Sequence, residues 1–265
     1  MCYRDAVNVG GYFTTAGSGF MGGAIAAAAG SFWGNGGARY RRSPDPQRAW
    51  VDTVPFGAWR RETFHRLGLF VEEWKVNEDC EFNARIRDAG GRILLDPEIR
   101  VTYHPRRSLR SLARQYFQYG KLKCRVIARH PRQLRARQAA PPAFVLTLLG
   151  IFVADAFTDT DPSLFFVASS GYLLTLACAS AWAALRTGQP RYTLALPTVF
   201  ATMHLSYGLG ALVGAVGLLL ESVGTRLRGR RASTRRARDD ELQGLTLAVP
   251  CGLEDTDGGP EAGTP

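Results

Sequence analysis

Trp74-Lys75-Val76-Asn77-Glu78-Asp79-Cys80-Glu81-Phe82, running on through Asp88 to Gly90-Gly91 and Ile93-Leu94-Leu95, sets a helix against a strand. The charged segment from Glu78 to Asp88 reads as helical, the paired glycines stop it, and the short apolar run behind them reads as a strand. An adjacent acidic pair, Glu78-Asp79, opens that helix. A carboxylate held there can take a proton from a hydroxyl, which is general-base work. Two neighbouring carboxylates raise one another's cost of ionising, which keeps one of them basic. Acids in a first turn also offset the helix macrodipole, and from the pair alone both readings stand.

Working outward, residues 1–105 alternate strand-like runs (93–95, 99–103) with helical patches (22–31, 78–88). Glycine-rich turns are expected at Gly10-Gly11, Gly34-Asn35-Gly36-Gly37 and Gly90-Gly91. This alternation predicts an α/β domain. The Gly- and Ala-rich piece 20–33 is too short and small-sided to span a bilayer, and reads as a buried helix of that soluble domain.

Residues 106–138 form the second zone. Leu109, Leu112, Tyr116, Tyr119, Lys123 and Val126 recur at helical steps, with Arg and Lys on much of the opposite face. Such a basic amphipathic helix suits the lipid headgroup region, or the surface of its own domain. Residues 139–222 form the third zone, a membrane domain of two or three spans. One runs over 141–157 and one over 163–185. The stretch 192–220 is long for one crossing and short for two, and Pro197 with Gly208, Gly210, Gly214 and Gly217 is placed to break or crowd it. A cytoplasmic tail requires an even number of crossings, which favours a re-entrant segment or two short crossings; a single tilted crossing with an external tail is the alternative. Residues 223–265, Arg-rich, then acidic, then Gly/Pro-rich, are expected to form a disordered cytoplasmic tail.

Lys and Arg outnumber Asp and Glu 33 to 23, a net charge of +10. The excess is concentrated: eleven basic residues and no acid between Arg106 and Arg137, and seven Arg and no acid between Arg226 and Arg238. Basic blocks beside apolar spans suit the anionic cytoplasmic leaflet. Nucleic acid is the rival partner for so much Arg, but no nucleic-acid motif accompanies the blocks, so none is expected. The five scattered cysteines (Cys2, Cys80, Cys124, Cys178, Cys251) lack zinc or disulfide-framework spacing.

Several motifs, taken in order, carry a resemblance. They are Asn8-Val9-Gly10-Gly11; Ala24 to Ala28 with Gly34-Asn35-Gly36-Gly37-Ala38-Arg39-Tyr40-Arg41; Val51-Asp52-Thr53-Val54-Pro55-Phe56-Gly57-Ala58-Trp59-Arg60-Arg61; Asn77-Glu78-Asp79; Tyr103-His104-Pro105-Arg106; Arg114-Gln115 to Gly120; and Met203 to Gly210. Over residues 8–220 the chain resembles the C-terminal part of a membrane-bound family 2 glycosyltransferase, of the branch with the succinoglycan-type exopolysaccharide glucosyltransferases. The resemblance implies the C-terminal part of a GT-A fold followed by a helical membrane domain. It implies inverting transfer of a sugar from a nucleotide-sugar donor, usually UDP-linked, to a lipid-linked or polysaccharide acceptor at the cytoplasmic face of the cell membrane. Asp79 then matches the base and Glu78 shapes its field. Asn77, Gly57 and Ala58 fall on the acceptor side, and Arg114, Gln115, Gln118 and Tyr119 on the element that binds diphosphate or acceptor. His104 is a candidate metal or diphosphate ligand, or a strand-end His with a structural hydrogen bond.

The sequence also departs from that family. Gln118 and Tyr119 stand where the family carries Arg and Trp, and Gln brings no charge; Arg114 or Lys121 is then expected to supply it. The family implies a divalent cation (Mg or Mn) held by a D-x-D motif, within an N-terminal nucleotide-binding half. Only seven residues precede Asn8, and the D-x-D triplets, Asp159-Thr160-Asp161 and Asp255-Thr256-Asp257, lie far from the acceptor-side motifs. The expectation is an N-terminally truncated transferase, inactive as this chain. The alternative is a non-catalytic membrane protein whose basic amphipathic region binds anionic lipid or a partner subunit. A transporter draws support from the spans alone.

Overall fold

The long strand Ile93–Tyr103 is one of the two inner strands of a four-stranded sheet. The computed structural model describes residues 3–41, 47–72, 74, 76–157 and 163–247. In that sheet β1 (Asn8–Thr15), β2 (Ala49–Val51), β3 (Ala58–Trp59) and β4 (Ile93–Tyr103) run in the order β2-β4-β1-β3. β1 and β4 pair in parallel, while β2 and β3 pair antiparallel on the two outer sides. The two strand-like runs expected at 93–95 and 99–103 are one strand. Its register slips between Gly11 and Tyr12, where Gly11 faces Asp96 and Tyr12 faces Arg100.

That slip explains Gly10-Gly11, which is not a turn but the middle of β1. A Cβ on Gly11 would overlap the Ile99 carbonyl at the irregularity, and one on Gly10 would collide with the Val54 side chain. Close backbone approach, not a reversal, is what these glycines permit.

Against the sheet pack α3 (Arg61–Leu67) and α4 (Glu78–Asp88), the latter with the bounds the sequence predicts. Tyr12, Val54, Phe82, Ile86, Ile93 and Leu95 form the buried core between them. Trp59, Phe64, Phe70 and Phe82 add a cluster of mostly edge-to-face rings, with Phe64 and Phe82 stacked at 4.9 Å.

α1 (Gly19–Gly30) is buried, as expected, but in a different place. Ala24, Ile25 and Ala28 share a core with Leu112, Leu176, Ala183, Leu196, Phe200 and Met203. These partners come from α5 (Leu109–Arg129), α7 (Ser163–Arg186) and α8 (Leu196–Leu247), so α1 belongs to the helical part. A helix apolar on all sides must be covered on all sides, and a sheet offers only one face. The short α2 (Phe32–Asn35) follows, capped by Gly36 in the left-handed region.

The helical part also contains α6 (Ala136–Phe157). Three stretches, Ala136–Phe157, Leu164–Arg186 and Leu196–Arg226, are long and apolar enough to cross a membrane. Their outer faces expose Leu149, Phe152, Phe166, Leu174 and Leu185, the surface a bilayer covers. α8 is one continuous helix, not two short crossings: Pro197 sits in its first turn, where its missing N–H breaks no bond.

Its glycines receive α5. Cβ atoms on Gly120, Gly210 and Gly214 would overlap the backbones of Tyr207, Phe117 and Lys121 respectively. Main chain meets main chain there, as small residues permit between helices. The Cys124 thiol also donates to the Ala211 carbonyl at 3.1 Å.

Two compact units divide the chain, Met1–Gly217 and Leu218–Pro265. In the second, the described residues are helical to Leu247, where disorder is expected from about residue 223. Between 225 and 247 no proline intervenes and Arg and Leu are frequent, a composition that sustains helix.

Candidate functional site

A cavity of about 750 Å3 opens in the first unit. Its walls come from the end of β1, α2, the loop before β3, the start of α4, one face of α5, the first turns of α6 and the N-terminal part of α8. One side is acidic and polar, with Glu78 and Asp79; another is apolar, with Phe32, Trp33, Pro141 and Met203.

The acidic pair is placed by Asn77, whose backbone is left-handed (φ 64°) and starts α4. Its amide nitrogen donates to the Tyr119 carbonyl at 3.3 Å, joining α4 to α5. Asp79 is half-buried in the first turn, and its Oδ1 accepts the Cys80 N–H at 2.7 Å. Burial pushes the Asp79 carboxyl above its ordinary value; the Cys80 N–H opposes this, neighbouring Glu78 adds to it, and Lys123 opposes it. The Glu78 Oε2 atom is buried with no hydrogen-bond partner among the described residues. A buried acceptor left open beside a cavity is free for a hydroxyl donor.

α5 presents Tyr116, Tyr119, Lys123 and Val126 to the cavity. Burial pushes the Tyr116 phenol up to about 12 and raises Tyr119 as well, so both remain neutral. Gln115 donates to the Tyr119 hydroxyl at 3.0 Å and to that of Tyr103 at 3.4 Å. On α8, His204 Nε2 donates to the Trp33 carbonyl at 2.8 Å and Nδ1 accepts from the Tyr172 hydroxyl at 3.2 Å, assigning the proton by these partners. That residue ties α2 to the apolar helices. Arg137 donates to Asp52 at 2.8 Å, fastening the start of α6 to the loop after β2.

Of the residues predicted from sequence, Asn77, Glu78, Asp79 and Tyr119 line the cavity together. Gly57, Ala58, Arg114, Gln115, Gln118 and His104 are not among its walls. Gly57 instead accommodates the Asn8 side chain, and a Cβ there would overlap the Asn8 amide oxygen. Asn8 in turn donates to Asn83 at 2.6 Å, and Asn83 to Thr53 and Val54 at 2.9 and 3.0 Å, a buried amide latch beneath the loop. Ala58 pairs with Val9 in the sheet. Arg114 and Gln118 are exposed on α5. Lys121, the other stand-in expected for the missing charge, is exposed too, with its backbone against Gly214. His104 Nδ1 meets the Ala16 carbonyl at 3.2 Å.

Among the described residues no three His, Cys, Asp or Glu side chains converge in a metal-holding group. They therefore do not fit a divalent cation, and no chemistry is assigned through one. Both D-x-D triplets lie outside the described residues.

Arg41, Phe56, Lys123 and His204 were not singled out as site residues by sequence. Phe56 has the left-handed backbone (φ 51°) rare for an aromatic residue and stacks on Phe13 at 5.7 Å. The one sequence signal for Arg41 is the turn that delivers it. Asn35 Oδ1 accepts the N–H groups of Gly37 and Ala38, an Asx turn written in Asn35-Gly36-Gly37.

No family model matches the chain. It is similar to the succinoglycan biosynthesis protein ExoA of Rhizobium meliloti (strain 1021), 29% identical over 189 residues, which cover 71% of this chain and 54% of that protein. The chain thus spans about half the length of the curated relative it matches.

Proposed function

We propose that the chain carries the acceptor side and catalytic base of a membrane glycosyltransferase acting in exopolysaccharide synthesis. It is an inverting enzyme of family 2 with a GT-A catalytic domain. Asp79 takes the proton of an acceptor hydroxyl while the freed oxygen attacks the anomeric carbon of a nucleotide-sugar, with a UDP-sugar as the expected donor. The bond from that carbon to the diphosphate breaks, and the nucleoside diphosphate leaves with the electron pair. Inversion follows from a single displacement. Glu78 raises the basicity of Asp79 and offers Oε2 to a neighbouring hydroxyl of the acceptor.

The observation that carries this reading is Asp79, its carboxyl raised by burial, on the wall of a cavity that also has an apolar, membrane-helix side. A general base is useful when its pKa is moved towards working pH. A cavity polar at one wall and apolar at another suits an acceptor with a sugar head and a lipid body. Similarity to a succinoglycan biosynthesis protein supports the same class. The nucleotide, the acceptor and the cytoplasmic orientation all belong to the proposal.

The test uses the protein made from its own locus. Isolated membranes should transfer label from a nucleotide-sugar into a lipid or polysaccharide fraction. Asp79→Asn should reduce that transfer about 10²- to 10⁴-fold with protein level unchanged, the usual contribution of a general base. Transfer equal to wild type in that variant, or none by wild-type membranes from any nucleotide-sugar, overturns the reading.

A further inference from the structure

Among the described residues, four cationic side chains reach the cavity: Arg41, Arg87, Lys123 and Arg137. Three have evident local roles. Arg137 pairs with Asp52, Arg87 donates to Gln133, and Lys123 acts on the Asp79 carboxylate. Arg41 differs. Its guanidinium lies 5.3 Å from the Phe13 ring centre, 4.9 Å from Tyr103 and 5.5 Å from Tyr40, with Phe13 and Tyr103 stacked on each other at 5.4 Å. The neighbouring Tyr40 phenol acts on it, and no ion pair joins it to a carboxylate among the described residues.

We propose that Arg41 is a phosphate-binding residue of this cavity, its free N–H groups taking the phosphate of the substrate that fills it. Guanidinium carries five donors, and one phenol leaves most of them open. Aromatic walls hold the cation by its faces and leave its edge for a ligand. That edge matches two phosphate oxygens at once, as a lysine cannot. The alternative sources of charge face elsewhere, since Arg114 and Lys121 are exposed and off the cavity. Arg41 thus supplies from the turn after α2 the charge that Gln118 does not bring on α5.

The proposal rests on the transferase reading in one respect: the substrates of such an enzyme bring phosphate to the cavity. The donor carries it as a nucleoside diphosphate, and a lipid-linked acceptor carries it between its sugar and its polyprenyl chain. Binding is measured without transfer, so its failure is distinct from a failure of Asp79.

The 265-residue chain in lipid nanodiscs is titrated separately with UDP, with a polyprenyl monophosphate and with the neutral polyprenol. At least one phosphate probe should bind. Arg41→Gln should weaken it about 10- to 100-fold, the worth of a charged hydrogen-bonded pair. Arg41→Lys, which keeps the charge between the rings, should weaken it about 3- to 10-fold, and carries the test if the Gln variant melts early. Polyprenol binding should not change. Sensitivity to UDP assigns Arg41 to the donor; sensitivity to polyprenyl phosphate assigns it to the acceptor. Wild-type affinity for both phosphates in either folded variant, an equal loss for polyprenol, or no phosphate binding by the wild-type chain overturns the proposal.

Discussion

The side-chain amide of Asn77 donates to the main-chain carbonyl of Tyr119. The residue that begins α4 is thereby fastened to the helix that faces it across the cavity. Two demands meet at Asn77, a left-handed backbone and a cross-helix bond. Asn77→Ala should cost about 2 kcal/mol, roughly 1 from the backbone and 1 from the lost bond. Asn77→Gly should lose only the second part, because glycine accepts the left-handed region. Thermal melts of both variants in detergent check the order.

If Asp79 is the base proposed above, it should set the acid side of the pH–activity profile. Its carboxyl is raised by burial and further by Glu78, and lowered by Lys123. A base must be ionised, so activity falls as pH drops through this raised value. Glu78→Gln should move that limb to lower pH and Lys123→Met to higher pH. Shifts in the same direction would remove Asp79 from the base position.

The same burial predicts a stability effect. The ionised Asp79 is held in the fold at a cost, which is absent below the unfolded-state value and complete above the raised folded one. Asp79→Asn should therefore raise the melting temperature near neutral pH, and the gain should vanish in acid. Asp96 shows the opposite sign. Burial would raise it, but hydrogen bonds from Tyr3, the Glu98 N–H and Arg48 outweigh that and hold it below the ordinary carboxylate range. Its contribution is present above the unfolded-state value and lost as pH falls through the lowered folded one. Asp96→Asn should flatten the acid end of the stability curve.

Gly120 lies against the Tyr207 and Ala211 backbones, whereas Gly217 has open space where a Cβ would go. Gly120→Ala should cost about 1–3 kcal/mol through overpacking of α5 on α8. Gly217→Ala should be neutral or gain up to about 1 kcal/mol from helix propensity. Chemical unfolding of the pair measures the difference.

Local signals made α4 legible: acids in its first turn, basic residues in its last, and Gly90-Gly91 as its stop. They did not make the site legible in the same way. Arg41 stands in an Arg-Tyr-Arg run that reads as solvated charge, and only the packing of β1, the turn after α2 and β4 surrounds it with rings. Gln118 follows from motif order, but at about 100° per residue it occupies a different face of α5 from Tyr116, Tyr119 and Lys123, whereas Gln115, one turn before Tyr119, bonds the hydroxyls of Tyr119 and Tyr103 without lining the cavity itself. Gly10-Gly11 was misread because glycine marks reversals and close approaches with the same letter. The helix α1 declared that it was buried without declaring by what.

The placement of Met203, His204 and Tyr207 in the cavity wall has a bearing on biogenesis. The carboxylate pair leaves the ribosome more than a hundred residues before these three. Until the last apolar helix has been synthesised and docked, the chamber lacks one side. On the proposed function, a nascent chain holding Asp79 but not yet α8 would be unfinished as a catalyst, unable to act on stray alcohols before it is seated.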